Sequence, residues 1–452
     1  MQNKLERLAQ LVEDYSKNLV VQGGYISNIM PGYYTVTGLS KYVHLGDFVV
    51  HRKGDVDTLG QVTRIDYDVI YVCPIEMNKE ISLGDLVFSL GESFQISPSD
   101  CWCGRVVNAL GQPIDGNSFL PQGDVAMKIV SRSSPAMTRR RVEKGFKTGI
   151  RVIDIFTPLC HGQRIGIFSG SGVGKSTLLS MFARSDSFDK IVVSLVGERG
   201  REVREFIEDS LGENLRRSIV VVATSDESAI LRKMAPLTAV TIAEYFCSKG
   251  ENVLLIVDSI TRFSHAIRDI AMHSGELPVT RGYPASVFSE LPRLLERAGP
   301  GKQEDGTITA IISILVDGDN HNDPIADSVR SIIDGHIVLK RSLSEEGRYP
   351  PVDPLASVSR LASKVWSADE EKLVSYLRAL IHRFEETKDI RSMGGCRPGV
   401  DLDLDMAVNQ VPIIYEFLKQ SPDADLLTDV FGEIAKKLNL RQDLGSISSQ
   451  VS

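Results

Sequence analysis

Three features of the sequence predict an α/β fold, with a mostly parallel-sheet core between an N-terminal β-barrel and a C-terminal helical domain. From residue 162 to about 340, strand-like runs (190–196, 219–224, 252–257, 307–316) alternate with helix-like ones, the pattern of a sheet wound with crossover helices. Before that stretch, residues 20–90 carry short apolar runs of period two broken by glycines. After about Leu361 the strands stop and apolar residues recur every three or four positions.

In chain order, residues 1–19 place Met1, Leu5, Leu8, Val12 and Tyr15 on one stripe among charged residues, which predicts an amphipathic helix. Such a helix either packs on its own domain or docks on a partner. Residues 20–95 form the β-domain, a small barrel or sandwich with strands around Tyr33, Phe48, Gln61, Val69 and Leu86. Leu45-Gly46-Asp47 and Leu83-Gly84-Asp85 echo one another, each a turn that feeds a strand. The turn-rich run 104–116 marks the exit from this domain. Between Lys128 and Arg151 stand eight basic residues and one acid, Glu143. With Phe146 the lone aromatic there and no series of aromatics to stack on bases, that run reads as a solvated linker or subunit contact, and no nucleic-acid partner is expected.

Residues 96–365 make the nucleotide-binding domain. Its centre is the strand Ile165, Ile167, Phe168 followed by Ser169-Gly170-Ser171-Gly172-Val173-Gly174-Lys175-Ser176-Thr177 and an apolar helix. Strand, glycine-rich loop and helix in this order cradle a triphosphate. The glycines let backbone N–H groups converge on one anion, and the helix adds the positive end of its dipole. Lys175 would reach the β- and γ-phosphates, and the Ser176 hydroxyl would ligate Mg²⁺. Ser169 departs from the glycine that opens the usual pattern. Val253-Leu254-Leu255-Ile256-Val257-Asp258 is a buried strand ending in a carboxylate, suited beside such a loop to hold the Mg²⁺ shell. A second apolar strand, 192–196, runs into Gly197-Glu198-Arg199. Glu198 would polarise the attacking water with Arg199 holding it in place, unless it is only a surface loop charge.

Residues 366–440 are read as the helical domain, with a stripe of Leu373, Leu377, Leu380, Ile381 and Phe384 and further helices over 411–418 and 426–438. Residues 441–452 are read as a flexible tail. Net charge is −8, which argues against a general polyanion binder. The six cysteines include no CxxC pair, so they are expected to be reduced. No signal peptide or membrane span is read, and a cytoplasmic location is expected.

The motifs also carry a resemblance. Gly197-Glu198-Arg199-Gly200-Arg201-Glu202-Val203 resembles the catalytic-glutamate motif of the rotary ATPase superfamily. Pro350-Pro351-Val352-Asp353-Pro354-Leu355-Ala356-Ser357-Val358-Ser359 is similar to that superfamily's signature, with Arg360 at the arginine-finger position. Tyr349 falls where an aromatic stacks on adenine, and Arg262 matches an arginine near the γ-phosphate. The resemblance covers about residues 20–440. Segments 222–228, 282–288, 291–299 and 318–327 are similar to the type III export ATPases, the flagellar ones above all, where a small residue at Ser169 is acceptable. The acidic helical motif of F-type β subunits and the long insertion of V-type subunits are absent.

This resemblance implies a P-loop, RecA-like core that hydrolyses ATP with Mg²⁺ in a homo-hexameric ring. It implies catalytic roles for Lys175, Glu198, Arg199, Arg262 and Arg360, nucleotide contacts from Ser169 to Thr177 and Tyr349, and Mg²⁺ on Ser176 and Asp258. It implies partners as well: a flagellar export regulator on residues 1–19, stalk proteins, export substrates with their chaperones, and an export gate at the inner face of the cell membrane. The rivals are a virulence secretion ATPase, a rotary synthase β subunit, a non-catalytic ring subunit and an RNA translocase, the last disfavoured by charge.

Overall fold

The computed structural model describes residues 22–440, apart from 55, 77–79, 92–93, 317–322, 396–398 and 425. The expected helix over 1–19 and tail over 441–452 lie outside the described residues. Six antiparallel strands close on themselves in the order β1-β2-β5-β4-β3-β6. They are β1 (Gly23–Met30), β2 (Tyr33–Thr37), β3 (Phe48–Lys53), β4 (Val56–Ile65), β5 (Val69–Pro74) and β6 (Leu86–Ser89). Alternation points Tyr34, Val36, Val49, Val62, Ile70, Val72 and Val87 inward, where they pack as one cluster. Closure leaves no free sheet edge, which decides for a barrel over a sandwich. The echoed turns explain themselves: Gly46 and Gly84 have φ of +91° and +85°, a backbone that side chains resist.

The central sheet holds β7 (Val106–Asn108), β8 (Arg164–Ser169), β9 (Lys190–Glu198), β10 (Ser218–Thr224), β11 (Asn252–Asp258), β12 (Thr307–Leu315), β13 (Gly335–Val338) and β14 (Val358–Ser359). Their order is β14-β13-β8-β12-β11-β9-β10-β7, all parallel except β14. The 104–116 run is therefore more than an exit from the barrel, because its Val106–Asn108 segment pairs with β10 and extends the sheet.

Helices cover both faces, so the inner strands read as near-continuous apolar runs. They include α1 (Lys175–Ala183), α2 (Gly200–Glu205), α3 (Ala229–Ser248), α4 (Ile260–His273), α5 (Arg341–Glu345), α6 (Ala368–Glu386), α7 (Leu402–Leu418) and α8 (Val430–Lys437). On one face α3 and α4 pack through Val240, Ala243, Phe246, Phe263 and Ile267. On the other, α1 and the C-terminal helices share a cluster that includes Leu178, Phe182, Leu377, Ile381, Val411 and Ile414.

A capping box on Ser367 and Glu370 starts α6, and its buried stripe is Val374, Leu377, Leu380 and Ile381. Complete burial of a residue such as Leu377 contributes about 2 kcal/mol. The last helix begins at Val430 and not at Leu426, because the Asp429 side chain accepts the Gly432 N–H and sets the start there.

Basic residues of the 128–151 run are used as staples. Arg139 donates to the Glu296 carbonyl, Arg140 to Gly306 at 3.0 Å and Lys147 to Thr428 at 2.9 Å. The five described cysteines are free thiols. Among the described residues no helix is long and apolar enough to cross a membrane.

Candidate active site

The phosphate loop leaves β8 at buried Ser169 and re-enters regular structure at Lys175, the first residue of α1. Gly174, with φ +103°, turns the chain into the helix, and buried Val173 anchors the loop to the core below. Ser171, Gly172, Ser176 and Thr177 face outward. Loop and helix N-terminus sit at the carboxyl ends of the parallel strands, where open α/β sheets bind ligands.

The strand order brings the acidic residues to the same place. β12 lies beside β8, β11 beside β12 and β9 beside β11, so Asp258 and Glu198 end neighbouring strands next to the loop. Lys175 Nζ pairs directly with the Asp258 carboxylate and lies 3.9 Å from Glu198 Oε1. Asp258 also accepts the Ser313 hydroxyl from β12 at 2.6 Å. Lys175, Ser176, Glu198, Glu202, Phe206 and Asp258 line a cleft of about 180 Å³.

Glu198 carries the unusual electrostatics. Burial, followed by the nearby charge of Asp258, pushes its carboxyl up to about 7, against the pull of Lys175 and Arg262. Its Oε2 is 3.3 Å from Arg262 Nη2, while its buried Oε1 has no hydrogen-bond partner among the described residues. Arg262 is itself fixed, since it donates to the Gly197 carbonyl.

Arg199 is placed differently from expectation. Its side chain is 77% exposed and pairs with Glu202 at 3.8 Å, so Arg262 holds Glu198 instead. The reason is local: Glu198 ends a buried strand, whereas Arg199 occupies the N-cap of α2 and turns outward.

Tyr349 borders the loop from the other side. A Cβ on Gly174 would stand 3.8 Å from Tyr349 Cε1 and 3.6 Å from the Pro351 ring. The Tyr349 hydroxyl is 2.8 Å from Ser344 Oγ, and its carbonyl accepts the Gln420 N–H at 2.8 Å.

Arg360 lies elsewhere. Ser359 pairs with Gly335, and Gly335 pairs with Ile165 at the start of β8. Ser169 lies about 13 Å further along β8 at ~3.3 Å per residue, with the loop beyond it. Arg360 is therefore at the opposite end of the sheet, exposed, with Nη2 on the Arg330 carbonyl at 3.3 Å.

Three residues escaped sequence reasoning. Ser313 was signalled only by a hydroxyl inside the apolar run 307–315. Glu202 stood inside a motif read for its neighbours, and Arg341, which donates to the Ser171 carbonyl at 2.8 Å, had no signal.

Comparison with known proteins decides the family. Residues 149–359 match the ATP synthase alpha/beta family, nucleotide-binding domain, and residues 366–429 match the T3SS EscN ATPase C-terminal domain. The chain is 63% identical to the flagellum-specific ATP synthase of Agrobacterium fabrum, over 96% of this chain and 92% of that protein. The chain belongs to the ATP synthase alpha/beta family, in its type III export ATPase branch. The SPI-2 type 3 secretion system ATPase of Salmonella typhimurium is 43% identical, over 84% of this chain and 87% of that one.

The fold of this export ATPase is similar to that of assembled EscN from enteropathogenic E. coli, with a TM-score of 0.85, 37% identity and coverage of 92% and 99% of the two chains. A second structure, of assembled EscN with its central stalk EscO, gives 0.83 at the same identity, covering 92% and 100%. The barrel, parallel-sheet core and helical C-terminal domain are those of the branch.

Proposed function

We propose that this chain is a Mg²⁺-dependent ATP hydrolase that energises flagellar protein export through a type III apparatus. The observation that carries the chemistry is a buried carboxyl raised to about 7, within 3.9 Å of the phosphate-loop lysine and facing a cleft. A base poised near the working pH is what hydrolysis requires. The loop N–H groups and Lys175 bind and neutralise the phosphates, and Glu198, held by Arg262, takes the proton of the water that attacks the γ-phosphorus. The bond to the β-phosphate oxygen breaks, giving ADP and phosphate.

Ser176 and Asp258 offer only oxygen donors beside the loop, a set that suits Mg²⁺ and leaves room for its waters and a phosphate. Bound there, Mg²⁺ would neutralise charge on the β- and γ-phosphates. Tyr349 supplies a flat face beside the loop for the adenine.

The flagellar role, over the virulence one, rests on the higher identity to the flagellar relative, 63% against 43%. An assembled relative and its stalk complex support a ring with a stalk partner. The remaining contacts, with substrates, chaperones and the export gate at the membrane's inner face, belong to the same proposal. Residues 1–19 are assigned to the export regulator. Their deletion should leave basal hydrolysis intact and abolish copurification with it, and a regulator that still copurifies refutes the assignment.

Binding and turnover separate the site roles. Lys175→Ala should abolish both nucleotide binding and hydrolysis. Glu198→Gln keeps shape but removes the base, so ATP should bind while turnover falls by ~10² or more. A Gln variant that hydrolyses ATP at the wild-type rate would show that Glu198 is not the base.

A further inference from the structure

An anion-binding loop must turn its N–H groups inward, and so must turn its carbonyls out. A carbonyl facing the phosphates would repel them. Here the turning point is Ser171, exposed and flanked by Gly170 and Gly172, residues that let a peptide rotate at little steric cost. Something has to hold it.

The Ser171 carbonyl accepts a hydrogen bond from Arg341 Nη2 at 2.8 Å. Arg341 opens α5, in the strap that runs from the end of β13 to Val352. That strap has a fixed base: Leu339 bridges Val352, and Lys340 donates to the Pro351 carbonyl at 2.9 Å. It is also tied to the helical domain, with Arg348 stacked 3.8 Å above the Tyr415 ring and Glu346 bonded to Lys388 at 3.1 Å. Arg341 thus pulls on the loop from a rigid support.

We propose that Arg341 is a positioning residue for the nucleotide phosphates, holding the Ser171 carbonyl outward so that the loop keeps its anion-binding shape. It does not line the phosphate cleft, and its charge is exposed and therefore screened, so its effect is local and geometric. The same strap carries Tyr349, so an effect on the loop must be told from an effect on the base. The proposal rests on the phosphate-loop reading.

The test uses the full chain at concentrations where rings form, with MgATP hydrolysis measured against ADP and GDP as competing inhibitors. Arg341→Ala should raise KM for MgATP about tenfold, the scale of one charge-assisted hydrogen bond, and weaken ADP and GDP inhibition by that same factor. Turnover at saturation should stay within about threefold of wild type, because the loop still closes around bound nucleotide. Arg341→Lys, which keeps a donor, should recover most of the loss.

An unchanged KM overturns the proposal. So does a loss confined to ADP with GDP unaffected, which would place the effect on the base through Tyr349. Should Arg341→Ala melt well below wild type, Arg341→Gln carries the same test. Lys175→Ala, run alongside, separates the two readings: if it binds ADP normally the phosphate-loop reading itself fails. If Lys175→Ala loses ADP while Arg341→Ala keeps it, only the role of Arg341 falls.

Discussion

A single carboxyl, that of Glu198, shows what burial does to chemistry at this site. The water-activating form is the carboxylate, and it dominates only above about 7. The rate constant kcat/KM for MgATP should therefore climb with pH through about 7 in the wild type. A profile flat between pH 6 and 8 would contradict the assignment. The same shift has a stability consequence. Folding raises this carboxyl from 4.5 to about 7, so the native state holds the extra proton between those values. Its contribution to stability is intact below 4.5 and is lost as pH rises through 7. Glu198→Gln should then melt above wild type at pH 8 and alongside it at pH 4.5.

Residues whose spacing fixes their position, such as Lys175 and Asp258, were legible in the sequence. Arg199 was not, because adjacent side chains at a strand end can turn to opposite sides, and only the start of α2 settles which one does.

At the scale of elements, β9 is built to aim its last side chain. Its pairing with β10 slips between Val196 and Glu198, a bulge that isolates Gly197. Gly197 has φ +68°, and a Cβ there would come within 2.8 Å of Arg262 Cδ. Gly197→Ala should push Arg262 off Glu198 and lower kcat by at least tenfold, while nucleotide binding, which depends on the β8 loop, persists. Unchanged kcat would mean that the contact between Glu198 and Arg262 is incidental.

Long elements were readable in the sequence, the barrel strands from their period of two and the inner strands of the sheet from their unbroken apolar runs. The short β7 was not, since three residues carry no period, and its place follows from pairing with a strand more than a hundred residues away. The start of α8 was set by one cap, a contact that hydrophobic spacing does not record.

For the whole molecule, the decisive fact is a separation. The phosphate loop stands at the carboxyl ends of the parallel strands, and Arg360 lies at their amino ends. Within one chain the signature run cannot deliver its arginine to its own nucleotide. The proposed ring would resolve this, because the amino end of one subunit's sheet could face the neighbour's loop, and an arginine supplied in trans is worth roughly 10³ to 10⁵ in rate. Activity should accordingly rise steeply with protein concentration as subunits assemble. The most direct measurement mixes two inactive chains, Arg360→Ala and Lys175→Ala, and follows ATP hydrolysis after confirmed co-assembly. The account predicts partial recovery, because some interfaces join an intact loop to an intact arginine. No recovery in co-assembled rings, with wild-type activity independent of concentration, would contradict it.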